Sequence, residues 1–133
     1  MTDTICYING EFVPLTQAAM SVQDLAILRG YGVFDFLRTS DGKPFRLRAH
    51  LERLAQSAGL IDLDLPGSLS ELEAIVLETY HRNALPEANI RIVVTGGLSA
   101  DSLNPVSKPT LMVLVTPAHQ YPASCYQAGA KVI

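Results

Sequence analysis

Four arginines stand where a cation needs a reason. Arg29 directly precedes Gly30-Tyr31-Gly32. Arg38 closes an apolar run that begins at Val33. Arg53 follows His50 by three residues on a stretch with helical periodicity. Arg91 interrupts a run of Ile and Val. A planar guanidinium suits carboxylate or phosphate, because its fork can make two parallel hydrogen bonds. The chemistry on offer is recognition of small anions. Each arginine also has an ordinary alternative. Arg53 can be a solvated helix arginine paired with a neighbouring Glu. Arg91 can be half of an ion pair with an internal Asp or Glu, since an unpaired buried charge is costly. Arg38 has the same ambiguity. Asp35 cannot pair with it inside the strand, because i and i+3 face opposite ways. The Gly-Tyr-Gly stretch can be a tight turn before a core strand.

Other chemistries find less support. The chain has no GxSxG, P-loop or dinucleotide fingerprint. Lys43, Lys108 and Lys131 fall in a turn, a loop and a chain end. None has the apolar setting that depresses a lysine pKa for Schiff-base work. His50, His81 and His119 are far apart, and with no HExxH or CxxC a metal site has no motif behind it.

Composition bounds the rest. The 133 residues, 48% hydrophobic and 17% charged, suffice for one domain with a real core. A net charge of −3 argues against a nucleic-acid binder. No apolar run approaches a membrane span, and the N-terminus lacks the pattern of a signal peptide. Two distant cysteines, Cys6 and Cys125, suggest a reducing cytoplasm.

The elements that must position the arginines follow from local pattern. Asn9-Gly10 between apolar runs 4–8 and 11–15 predicts a hairpin, and Asp41-Gly42 between 33–40 and 44–47 predicts another. Ser21 or Asp24 can cap a short helical turn ending near Arg29. On the strand after it, Phe34, Phe36 and Arg38 share one face, and Val33, Asp35 and Leu37 the other. Leu47, Leu51, Leu54 and Ala58 predict a helix over 47–58 with one buried face and Gly59 as its C-cap. Ser68 and Glu71 form a capping box for a second helix running to about Asn83, with Leu69, Leu72, Ile75, Val76 and Thr79 inward. Runs 89–95 and 110–116 read as antiparallel strands joined by a long loop, 96–109, of the kind that is often functional. Arg91 would share a face with Val93 and Thr95. Residues 117–129 read as a linker and 131–133 as the start of another strand. The order β-β-(turn)-β-β-α-α-β-β predicts an α+β two-layer sandwich, an antiparallel sheet with helices on one face.

Taken together, YINGEFVP, SVQDLAILRGYGVFDFLRT and DGKPFRLRAHLERLAQSAGL resemble the N-terminal domain of the class IV (fold-type IV) pyridoxal-phosphate aminotransferases. That family includes branched-chain aminotransferases, D-amino-acid aminotransferases and aminodeoxychorismate lyases. The resemblance covers nearly the whole chain and rests on GxGVF[DE] followed by HxxRL. It implies that Arg53 grips the cofactor phosphate and that Phe34 lines the substrate pocket. It implies that Arg29 reaches into a neighbouring subunit's pocket, where tyrosine is usual, and that Arg91 is a pocket arginine. Arg38 joins these as a candidate substrate-binding residue. Loop 96–109 resembles the family loop that helps cover the partner's pocket. Two departures stand out. The usual turn YGDG is here Arg29-Gly30-Tyr31-Gly32. Gly96 stands where D-amino-acid enzymes carry a carboxylate-binding arginine. Arg29 of one subunit and Arg91 of the other are therefore expected to hold substrate carboxylate.

The resemblance implies a small N-terminal α+β domain over 1–118, and over 119–133 the start of an interdomain linker and a truncated strand. The C-terminal domain and its Schiff-base lysine are then expected beyond this chain, which alone would be inactive. It implies pyridoxal 5'-phosphate as cofactor, amino acid and 2-oxo acid as substrates (branched-chain favoured), and a cytoplasmic homodimer that binds neither nucleic acid nor membrane. Alternatives are D-amino-acid transamination, aminodeoxychorismate lysis, and a non-catalytic dimerisation or anion-binding module.

Overall fold

The computed structural model describes residues 3–133. Two hairpin turns and one crossover pair of helices account for its topology. Strands β1 (Ile5–Ile8) and β2 (Glu11–Pro14) are joined by Asn9 and Gly10. Both turn residues are at positive φ, 45° and 96°, as the Asn-Gly pair requires. A 3-10 turn (Leu15–Gln17) leads to α1 (Leu25–Arg29), which Asp24 caps through Ala26 N and Gly30 ends in the left-handed region.

Strand β3 (Gly32–Ser40) turns at Asp41-Gly42 into β4. This strand is only Lys43–Pro44, shorter than the sequence predicts. Phe45 still donates its N–H to Arg38 O, but Arg46 then enters the left-handed region and α2 (Leu47–Gly59) begins. Gly59 is the last helical residue rather than the C-cap, which is Leu60. The chain turns back at Asp62, with φ of 53°. Helix α3 (Leu69–His81) opens with the predicted capping box. It stops at His81, two residues early. Asn83 instead turns its amide to Ile5, accepting from Ile5 N and donating to Ile5 O. Strands β5 (Ala88–Thr95) and β6 (Thr110–Pro117) are antiparallel neighbours, as predicted. The segment expected as linker holds α4 (Ala123–Ala128), and residues 131–133 lie in no regular element.

The six strands form one antiparallel sheet in the order β2-β1-β6-β5-β3-β4. Helices α2 and α3 cover one face, giving the predicted two-layer α+β arrangement. The core lies between the layers. Leu47, Leu51, Leu54 and Ala58 of α2 and Leu72 and Val76 of α3 meet Leu37, Ile90, Ile92, Val94, Val113 and Val115 of the sheet. Each large aliphatic side chain so buried contributes roughly 1.5–3 kcal/mol. Leu69 and Ile75 are half-buried against this core.

Two consequences position the candidate residues. The strand alternation splits β3 as predicted: Asp35, Leu37 and Thr39 are buried, while Phe34, Phe36 and Arg38 are exposed. Because β4 pairs only with Thr39 and Ser40, the earlier part of β3 is a free sheet edge.

Candidate functional site

The register β3-β5-β6 lays the exposed residues out in rows. Arg38 pairs with Asn89 and Asn89 with Thr116. Phe36 pairs with Arg91 and Arg91 with Leu114. Phe34 pairs with Val93 and Val93 with Met112. This open face is apolar with two cations set into it. Arg91 is exposed, and its guanidinium lies 5.2 Å from the Phe34 ring centroid and 5.8 Å from that of Phe36. Cation–π attraction at such an exposed site is worth about 0.5–1 kcal/mol. The ion pair with an internal carboxylate is not found: among the described residues Arg91 makes no salt bridge, nor do Arg38 and Arg29. A cavity of about 260 Å³ lies between Phe36, Asn89, Arg91, Leu114 and Thr116. Asn89 Oδ1 is buried there without a hydrogen-bond partner.

Arg53 sits on the helix side of β3, away from the open face. Its partner is not a helix-neighbour Glu but Asp35. Nε donates to Asp35 Oδ2 at 2.7 Å and Nη2 to Oδ1 at 2.7 Å. The Asp35 side chain is 3% exposed, that of Arg53 63%. Asp35 Oδ1 also accepts from Phe36 N and from His50 Nδ1, each at 2.8 Å. A carboxylate can only accept, so the His50 proton is on Nδ1. Burial pushes the Asp35 carboxyl up. The hydrogen bonds and charges of Arg53 and His50 outweigh it and hold the group below the usual carboxylate range. Asp35 in turn pushes the Arg53 guanidinium up. Of the five guanidinium N–H groups, those on Nη1 and the second on Nη2 remain free of Asp35. Beside them is a cavity of about 330 Å³ lined by Phe45, Arg46, Ala49, His50 and Arg53. The donor set fits a phosphate monoester.

Arg29 ends α1. It lines a third cavity, of about 510 Å³, with Tyr31, Ile61, Leu103 and Pro105. Gly32 is in register with Thr95, four residues from Arg91, which places the two backbone positions about 13 Å apart along the strand. The structure thus brings Phe34, Arg38 and Arg91 to one face. It sets Arg53 at the edge of the same strand and Arg29 beyond its end.

Reasoning from pattern missed Asp35 as the partner of Arg53, and missed Asn89. The signal for Asp35 was present. A carboxylate at an inward position of Val33-Phe34-Asp35-Phe36-Leu37 must find a cation from the layer beneath, and the helix that follows carries His50 and Arg53.

Known proteins agree with this architecture. The model of amino-transferase class IV matches residues 32–132. A putative branched-chain-amino-acid aminotransferase of Methanocaldococcus jannaschii is 41% identical over 113 residues, 84% of this chain and 39% of that protein. A D-alanine aminotransferase of Staphylococcus epidermidis is 32% identical over 133 residues, 98% of this chain and 47% of that protein. The chain therefore spans less than half the length of these relatives. Among solved structures, the branched-chain amino acid aminotransferase of Escherichia coli superposes with a TM-score of 0.82 at 27% identity, over 93% of this chain and 43% of that one. Another branched-chain amino acid aminotransferase, from T.th. and complexed with N-(5'-phosphopyridoxyl)-L-glutamate, gives 0.77 at 30% identity over 89% and 42%. With the family model running from the first residue of β3 to the penultimate residue, the chain belongs to the amino-transferase class IV family.

Proposed function

We propose that this chain is the N-terminal part of a pyridoxal-phosphate-dependent class IV aminotransferase, which moves an amino group between an amino acid and a 2-oxo acid. The observation that carries this reading is Arg53: an exposed guanidinium held by a buried carboxylate, with free N–H groups at the edge of the sheet. Arg53 would hold the cofactor phosphate. When bound, the cofactor supplies an electron sink and a carrier for the amino group. The open face would form the floor of the substrate pocket. Phe34 and Phe36 would meet an apolar side chain, while Arg91, with Arg38 beside it, would bind carboxylate. Residues 1–118 would be the N-terminal domain and 119–133 lead toward a second domain carrying the lysine.

Branched-chain substrates are favoured by the apolar rings around Arg91 and by the names of the relatives. The packing at Gly96 adds support, because a side chain there would collide with Tyr31. The D-amino-acid reading is kept alive by the D-alanine aminotransferase relatives. The assembly would be a homodimer, with Arg29 completing the partner's site. Exposed Ile27 and Leu28 of α1, Ile61, and Leu103 and Val106 of the 96–109 loop would cover one another across the two copies. Both cysteines are free, in keeping with a cytoplasmic enzyme. Among the described residues no helix is long and apolar enough to cross a membrane.

The test is the complete gene product, purified and assayed for transamination with branched-chain 2-oxo acids and with D-alanine. Turnover of the branched-chain pair that vanishes without pyridoxal phosphate is expected. Activity independent of that cofactor would overturn the reading.

A further inference from the structure

A carboxylate at Asp35 is an expensive choice for the core. A Val or Leu at an inward β3 position would bury apolar surface at no desolvation cost, and buried ion pairs seldom outperform such residues. Yet Asp35 is 3% exposed and is itself held rigidly, by Phe36 N on its own strand and by His50 Nδ1 on α2. Its two remaining hydrogen bonds fix the Nε–Nη2 side of Arg53, whose side chain is otherwise 63% exposed. An exposed arginine samples many rotamers and must give them up to bind a ligand. This one has lost them already in the free chain.

We propose that Asp35 is a positioning residue for anion binding: it clamps one edge of Arg53, with His50 as a second strut, so that the remaining N–H groups face a phosphate monoester in the adjoining cavity. The inference rests on the reading that Arg53 holds the cofactor phosphate. Fork-to-phosphate bonding needs two N–H groups aimed together, and the Asp35 clamp leaves both Nη1 N–H groups and the outer Nη2 N–H free of Asp35, with His50 Nδ1 lying 3.3 Å from Nη2. The cavity beside it, about 330 Å³, has Arg46 and His50 on its wall and room for a phosphate.

Charge alone predicts the opposite outcome. Asp35 is an anion close to where another anion would bind, so removing its charge should tighten binding. Positioning predicts that removing it loosens binding, by about threefold to tenfold for one immobilised long side chain. The experiment is a titration of the 133-residue chain with pyridoxamine 5'-phosphate, which has no aldehyde to react with lysines, against pyridoxamine as the phosphate-free control. It is repeated for Asp35→Asn, Arg53→Ala and Arg53→Lys, with the Arg53 Nε–H resonance followed by NMR. The expected result has four parts. Phosphate-dependent binding is lost in Arg53→Ala. It weakens in Asp35→Asn despite the more positive chain. It weakens in Arg53→Lys, which keeps the charge but cannot span both oxygens. The Nε–H resonance is sharp and shifted in the parent and moves to the position of a free arginine in Asp35→Asn. If Arg53→Ala abolishes binding while Asp35→Asn binds as tightly as the parent or more so, the positioning role is wrong and the phosphate reading stands. If Asp35→Asn does not fold, Arg53→Lys decides: parental affinity there overturns the proposal. If the parent shows no phosphate-dependent binding, or Arg53→Ala retains it, the phosphate reading fails and the inference with it.

Discussion

The ring of Tyr31 lies against the backbone of Gly96, so closely that a β-carbon at 96 would fall 2.1 Å from Cδ1 and 2.6 Å from Cε1. Gly96 N donates to Tyr31 O at 3.0 Å, and Tyr31 OH donates to Asp62 O at 3.0 Å. One side chain thus ties the start of β3, the end of β5 and the connector between α2 and α3. Gly96→Ala should therefore cost about 1–3 kcal/mol through overpacking. Most of that cost should vanish in a Tyr31→Ala background, as a double-mutant cycle in urea would show. A Gly96→Ala chain as stable as the parent would contradict the contact.

Asp24 plays a comparable part for the arm that carries Arg29. It is 1% exposed, caps α1 through Ala26 N, and accepts from Thr95 Oγ1 at 2.7 Å and Thr110 Oγ1 at 3.1 Å. Its neighbours hold the base of the 96–109 loop, since Leu25 N donates to Gly97 O and Ser99 N to Gln23 O. Asp24→Ala removes a cap and takes the acceptor from two buried hydroxyl protons, so a loss of about 2 kcal/mol is expected. Limited proteolysis should cut the 96–109 loop faster in the variant. Unchanged cleavage would mean that the loop does not depend on Asp24.

The pH dependence of stability has a definite sign. The Asp35 carboxyl is held below its ordinary range in the folded chain, and an unfolded Asp titrates near ~3.9. Its contribution is fully present above that value and is lost as pH falls through the lower folded pKa. The stability gap between the parent and Asp35→Asn should be largest at neutral pH and shrink below about pH 4. Glu71, Glu87 and Asp101 are lowered too. The comparison with Asp35→Asn isolates the one group. A gap that stays constant down to about pH 2 would contradict the ion-pair assignment.

Arg91 and Arg29 are both exposed and unpaired among the described residues. Replacing Arg29 with Ala should move stability by no more than about 0.5 kcal/mol, and replacing Arg91 by no more than about 1 kcal/mol, the worth of its contact with the Phe34 and Phe36 rings. In the complete gene product, each should raise KM for the amino acid or the 2-oxo acid by about tenfold or more, the worth of a charge-assisted hydrogen bond to carboxylate. An unchanged KM would remove that residue from the carboxylate site.

The sequence made periodic and capped elements readable and left long-range partners unread. The α2 stripe of Leu47, Leu51, Leu54 and Ala58, the Ser68–Glu71 capping box and the Asn9-Gly10 hairpin depend on neighbours within a few residues, and all three stand as the pattern implies. Alternation alone told which face of β3 carries Phe34 and Arg38. The Asp35–Arg53 pair spans eighteen residues and two layers, and no local rule could choose Asp35 over a helix-neighbour Glu. Helix α3 ended early because Asn83 found a partner in Ile5, seventy-eight residues away. Helix α4 was missed because Pro122 and the small residues after it read as linker, though a Pro before a first helical turn is also a start signal.

In the proposed enzyme this chain would supply the phosphate grip and the pocket floor, and the cofactor's lysine would lie elsewhere. Lys43, Lys108 and Lys131 are all exposed, and none lies in the buried apolar setting that activates a Schiff-base lysine. Mixing the purified chain with pyridoxal phosphate, reducing with borohydride and mapping modified lysines by mass spectrometry tests this directly. No stoichiometric label is expected at any of the three. Specific, stoichiometric labelling of Lys43, Lys108 or Lys131 would mean that the domain holds a complete cofactor site of its own, and would contradict that reading.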